Sequence, residues 1–99
     1  MDLKETVSLM TSEDYKERFA AEYLQLKERY TRLKRYVTRI RACAMVGLTE
    51  PPHDCPVHLL GQQLQHMDDY LRTLELRAVI EKIDLESYEY TSHSFNLNG

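Results

Sequence analysis

The sequence predicts an all-α fold, and three observations carry the prediction. Apolar residues recur at alternating steps of three and four over two long stretches, the signature of helices packed along a seam. Only three Gly and three Pro occur in 99 residues, too few for the turns of a β domain. Three of these six, Gly47, Pro51 and Pro52, fall in one clear interruption, residues 47–55, so the long stretches are two rather than many.

The first element is small. Leu3, Val7 and Met10 keep a 4, 3 spacing, which predicts a short helix within residues 1–11, lying against the long helices. Thr11-Ser12-Glu13-Asp14 then opens the first of these. Hydroxyl groups can cap its free amides, and the carboxylates suit the positive end of its dipole. Its seam runs Phe19, Tyr23, Leu26, Tyr30, Leu33, Val37, Ile40, Ala44 without a slip. The predicted helix covers residues 12–46, about 50 Å at 1.5 Å per residue.

Gly47 can take the left-handed position that ends a helix, and Pro51-Pro52 cannot continue one. Pro56, after Asp54 and Cys55, is a favoured first helical residue. The second seam runs Val57, Leu60, Leu64, Met67, Leu71, Leu74, Ala78, which predicts a helix over 56–83. Two long helices joined by a short loop predict an antiparallel hairpin over residues 12–83. Residues 84–99 are polar and read as an extended C-terminal tail. Leu76, Val79, Ile80 and Ile83 widen the apolar surface of the second helix beyond one seam, so a homo-oligomer is expected.

Composition excludes several classes. Charged residues make up 29% of the chain, and no apolar run approaches the roughly 20 residues that span a bilayer. The first residues lack the basic start and apolar stretch of a secretory signal, and two Cys cannot staple a secreted fold. A cytoplasmic location is the expectation. Net charge is -3, unevenly spread: residues 1–49 carry ten Lys/Arg against seven Asp/Glu, and residues 50–99 carry three against nine. A chain that is acidic overall repels long polyanions, which disfavours nucleic acid. The basic helix can steer a small anion or pair with an acidic partner helix.

The strongest chemical signal is the interleaving of Tyr with basic residues on the first long helix. Lys27, Lys34, Arg35, Arg39 and Arg41 are suited to hold phosphates, and Tyr30 or Tyr36 to stack a base. Ordinary packing explains the same residues as cations snorkelling over a seam that contains tyrosines. His53, Cys55 and His58 have metal-ligand chemistry, but no Cys-x-x-Cys or His-Glu-x-x-His spacing accompanies them, so no metal is assigned. No cofactor is called for. Asp68, Asp69 and Glu75 fall opposite the seam, and no catalytic motif surrounds them, so the expectation is a binding protein and not an enzyme.

Asp14-Tyr15-Lys16-Glu17-Arg18-Phe19, Ala21-Glu22-Tyr23, Gln25-Leu26-Lys27, Arg29-Tyr30 and Leu33 form a specific run. So do Cys55-Pro56, Leu59-Leu60, Gln63-Leu64, Met67, Tyr70-Leu71, Leu74-Glu75, Arg77-Ala78 and Ile80-Glu81. Together they resemble a family of small helical proteins of bacteriophages and prophages, crAss-like gut phages included, with no activity in its family name. The resemblance covers roughly residues 12–85 and implies a phage origin and life inside an infected bacterium. It carries over no catalytic residue. At the level of fold alone, the chain is similar to phage proteins that act as sponges for the cyclic nucleotide signals of bacterial immunity. The function this implies is sequestration of an anionic nucleotide signal. The alternative is a protein–protein inhibitor or assembly factor acting through the helical faces.

Overall fold

The computed structural model describes residues 6–89, and every regular element among them is helical. The elements are α1 (Val7–Met10), α2 (Tyr15–Val46), α3 (Val57–Glu81) and a closing helical segment, α4, over residues 85–89. Both long predicted helices are present, with ends shifted by local chemistry. Helix α2 starts at Tyr15 and not at residue 12, because the Asp14 carboxylate accepts from the Lys16 amide at 2.9 Å. Ser12 caps one step earlier, its hydroxyl accepting from the Asp14 amide at 3.0 Å, while the Thr11 hydroxyl donates back to the Val7 carbonyl.

Gly47 ends α2 at φ 73°, and the Leu48 amide donates to the Cys43 carbonyl at 2.9 Å, closing the last turn. Pro56 stands just outside α3 and not inside it: its ψ of 142° is extended, and its carbonyl accepts from the Leu59 and Leu60 amides. Helix α3 ends at Glu81, two residues short of the predicted boundary. Lys82 takes the left-handed conformation at φ 59°, which costs a residue with a Cβ about 1–2 kcal/mol. The turn sends Ile83 back into the core, where it is 6% exposed, and its amide reaches the Ala78 carbonyl at 2.8 Å.

The predicted extended tail is corrected over residues 85–89. Asp84 nucleates α4 by accepting from the Ser87 amide at 3.3 Å, and the Ser87 hydroxyl donates to the Asp84 carbonyl. Leu85 and Tyr88 then pack against the core, a gain an extended polar strand lacks. The tail from residue 90, and residues 1–5 with Leu3, lie outside the described residues.

Helices α2 and α3 pack along their seams. Tyr15 Oη donates to Glu81 Oε1 at 2.8 Å, and Tyr23 Oη donates to Glu75 Oε2 at 2.9 Å. Tyr70 donates to Glu22, and Arg41 reaches α3 at Gly61. The main core sits at the end where α2 begins: Phe19, Tyr23, Leu24, Leu71, Leu74, Ala78 and Ile83. Ala20 and Ala21 lie off the seam yet are wholly buried. There α1 lies on α2, with Leu9 against the core and Gln25 Nε2 donating to Thr6 Oγ1 at 2.9 Å. Further along α2, Val37 and Ile40 are again buried, but Leu26, Tyr30 and Leu33 before them are only half-buried, and Ala44 is exposed.

Candidate anion-binding face

Beyond Lys27, the outer side of α2 carries no second layer among the described residues. Thr31, Arg35, Thr38, Arg39 and Ala42 recur at helical spacing, so they share one face turned away from α3. Two adjoining recesses form there. One, of about 370 Å³, is lined by Arg32, Arg35, Tyr36 and Arg39. The other, of about 350 Å³, is lined by Thr31, Lys34, Arg35, Thr38, Arg39 and Ala42. Arg35 and Arg39 belong to both and form the ridge between them.

The electrostatics are one-sided. Arg32 Nε donates to Glu28 Oε1 at 2.9 Å, a pairing one helical turn long. Neither Arg35 nor Arg39 stands in an ion pair among the described residues, and both are exposed. Their guanidinium groups therefore keep donors for an incoming anion, and the fork geometry suits a phosphate bidentately. Tyr36 is half-buried and lines the first recess beside them. The stems of Lys34, Arg35 and Arg39 with Ala42 give the second recess a mainly apolar floor, able to lie under a planar group.

Seven residues were expected at this site, and the structure divides them. Arg35 and Arg39 line both recesses, while Tyr36 lines only the first and Lys34 only the second, on opposite flanks of the ridge. Lys27 does not join them: its Nζ is 2.5 Å from Glu89 Oε1 and 5.7 Å from the Tyr23 ring centroid, in a separate cavity of about 380 Å³. Tyr30 packs against the core on the seam, and Lys34 Nζ lies 5.8 Å from its ring centroid. Arg41 turns to α3, where a Cβ built on Gly61 would lie 2.6 Å from its guanidinium. Glycine at 61 thus leaves the space that Arg41 occupies. Thr31, Thr38 and Ala42 were missed; the signal that finds them is the i, i+4, i+7, i+11 spacing that runs from Thr31 through Arg35, not the seven-residue repeat of Lys27, Lys34 and Arg41.

Of the other weighed residues, His53, Asp68, Asp69 and Glu75 have structural partners. His53 uses both ring nitrogens, Nδ1 at 2.7 Å from the Cys55 carbonyl and Nε2 at 3.2 Å from Glu50 Oε1. The Cys55 carbonyl, and then the Glu50 carboxylate, raise its pKa above the ordinary histidine value. No group of three or more His, Cys, Asp or Glu side chains placed to hold a metal ion occurs among the described residues. Asp68 pairs with Arg72 at 3.1 Å, Asp69 accepts from Gln65, and Glu75 accepts from Tyr23. Burial, then the bond to Glu75, pushes the Tyr23 hydroxyl well above the ordinary phenol range, so it stays protonated as a donor. No helix among the described residues is long and apolar enough to cross a membrane.

A protein-family model described as Sequestin matches residues 13–80, well over half of the chain and nearly the whole of α2 and α3. No curated protein and no solved structure matches. The match ends before α4 and begins after α1, the two pieces that enclose the first half of α2.

Proposed function

We propose that the chain, which on that match belongs to the Sequestin family, binds and sequesters an anionic nucleotide on the outer face of α2 and catalyses no reaction. The family's name denotes sequestering, a binding role. The observation that carries the reading is the ridge of Arg35 and Arg39, two exposed guanidinium groups outside any described ion pair, between two adjoining recesses. Arg35 and Arg39 hold the phosphates, with Arg32 and Lys34 at the flanks. Tyr36 and the apolar floor over Ala42 take base or sugar. The ligand is a small nucleotide signal, cyclic ones included, of a bacterial defence system, and the protein blunts that defence from within the infected cell. The pairings of Tyr15 with Glu81 and Tyr23 with Glu75 support an antiparallel hairpin, and the exposed apolar residues of α3 support a homo-oligomer.

The alternative reading is an inhibitor or assembly factor that binds a protein. Met45, Val46 and Leu48 favour it, because they expose 85%, 69% and 64% of their surface around the α2–α3 loop. A thermal-shift screen of the full chain against cyclic di- and trinucleotides and ADP-ribose derivatives separates the two. A nucleotide that raises Tm for the wild type, but not for an Arg35→Glu/Arg39→Glu variant, supports sequestration on this face. No shift with any of them, together with stoichiometric co-purification of a host or phage protein, supports the alternative.

A further inference from the structure

An apolar patch and an acidic cavity adjoin at the end of the molecule away from the α2–α3 loop. Leu76, Val79 and Ile80 stand at i, i+3 and i+4 on α3 and expose 67%, 79% and 78% of their surface. Val79 also lines the cavity of about 380 Å³ between α2, the end of α3 and α4, together with Ile83 and Leu85. The charged lining of that cavity is Glu75, Asp84, Glu86 and Glu89 against Lys27 alone, and Lys27 already holds Glu89 at 2.5 Å. Tyr23 donates to Glu75 and the Ser87 amide to Asp84, which bonds both carboxylates without neutralising them. Glu86 stands in no ion pair among the described residues. Across residues 68–89, seven Asp/Glu stand against three Lys/Arg. Two of those cations, Arg72 and Arg77, are paired with Asp68 and Glu81, and the third, Lys82, is exposed in the turn.

We propose that this surface docks a basic amphipathic segment of a protein partner, with one apolar side chain anchored in the cavity and Lys or Arg side chains on Glu75, Asp84 and Glu86. Charge selects the occupant. Residues 90–99 of this chain include Phe95 and Leu97 but no Lys or Arg, so they cannot compensate the carboxylates. A two-fold pairing of the surface with itself sets carboxylate against carboxylate. Nucleotides and anionic membranes meet the same repulsion. A small cation neutralises the cavity but leaves Leu76, Val79 and Ile80 bare. An amphipathic segment answers both features, its apolar side on α3 and its cations over the rim. Asp84, Glu86 and Glu89 lie beyond residues 13–80, so the family match does not supply this surface. The inference goes beyond the nucleotide reading and does not depend on it, since Arg35 and Arg39 line neither the cavity nor the patch.

The test uses the full chain and fluorescence anisotropy of a labelled peptide of leucine and lysine, its leucines at 3, 4 spacing over four helical turns. The wild type is expected to bind it at micromolar concentration. Replacing the peptide's lysines by glutamate, or its leucines by serine, is expected to weaken binding at least tenfold. Glu86→Lys and Val79→Ser are each expected to weaken it about tenfold with circular dichroism unchanged. If Val79→Ser unfolds, Glu86→Lys still decides the matter, because that side chain is exposed and outside any described ion pair. No binding of the leucine–lysine peptide, undiminished binding by Glu86→Lys, or equal binding of the glutamate peptide overturns the proposal. So does a wild-type dimer, seen by light scattering, that Val79→Ser dissociates, since a second copy then holds the patch. Nucleotide binding is judged separately by the thermal-shift screen, whose result Glu86→Lys is expected to leave unchanged.

Discussion

The first half of α2 and its second half share one helix and one seam, yet they live in different surroundings. Around Phe19 to Gln25 the helix is enclosed by α3, by α1 and by the α4 segment, so that even Ala20 and Ala21 are wholly buried. From Glu28 onward it meets only α3: the seam residues Tyr30 and Leu33 stay half-buried, Val37 and Ile40 are buried, and the outer face is bare. The first half therefore holds the larger share of the helix's buried side chains. The second half keeps its cations in solvent, where they can meet a ligand. Binding surfaces belong to such thinly packed regions, held in place by a rigid remainder.

The largest expected effect separates the halves by stability. Leu74→Ala removes a side chain that is 1% exposed and should cost about 2–5 kcal/mol in urea unfolding. Leu33→Ala, on the half-buried stretch, should cost less than half as much, because less apolar surface is returned to water. Equal losses would mean that the second half is buried in solution, as by a partner.

Binding should show the reverse division. Arg35→Glu/Arg39→Glu should abolish nucleotide binding in calorimetry, each lost charge-assisted contact being worth about 1.5–3 kcal/mol, while Tm stays close to wild type. Tyr36→Ala should weaken binding by about 1–3 kcal/mol if its ring stacks a base. By contrast Lys27→Met, which breaks the contact to Glu89 in the enclosed half, should leave affinity within a factor of about two. Its stability cost should stay under about 1 kcal/mol, since the Lys27 side chain is 44% exposed and screened. A large affinity loss for Lys27→Met would extend the site past the bare half.

The smallest effects are pH dependences of opposite sign at the two ends of the molecule. At the enclosed end, the Tyr15 hydroxyl and then Arg77 hold the Glu81 carboxyl below its ordinary value of 4.5. That contribution is present above pH 4.5 and is lost as pH falls through the lowered value. At the loop end, the raised pKa of His53 means a contribution present below its ordinary 6.5 and lost as pH rises through the higher value. Glu81→Gln should flatten only the acid limb of a Tm–pH curve, and His53→Ala only the neutral one. A His53→Ala curve that still falls through neutral pH would place the source of that limb outside the loop.

Periodicity and breakers sufficed to read both long helices from the sequence, because a seam at 3, 4 spacing and a Gly-Pro-Pro interruption are local facts that no packing overrides. The basic character of α2 was legible for the same reason. Which cations stay available was not. Lys27 and Arg41 look equivalent to Arg35 and Arg39 along the chain, and only tertiary packing sets Glu89 against one and Gly61 under the other. The tail misled through its polarity: Leu85 and Tyr88 gain from helix only because the left-handed turn at Lys82 aims them at a core built from residues some sixty positions earlier. Sequence alone determined where the chain is helical, since that choice is set by neighbours within one turn. The tertiary structure decided which surface of the helix remains bare, since coverage depends on contacts between segments that sequence spacing does not order.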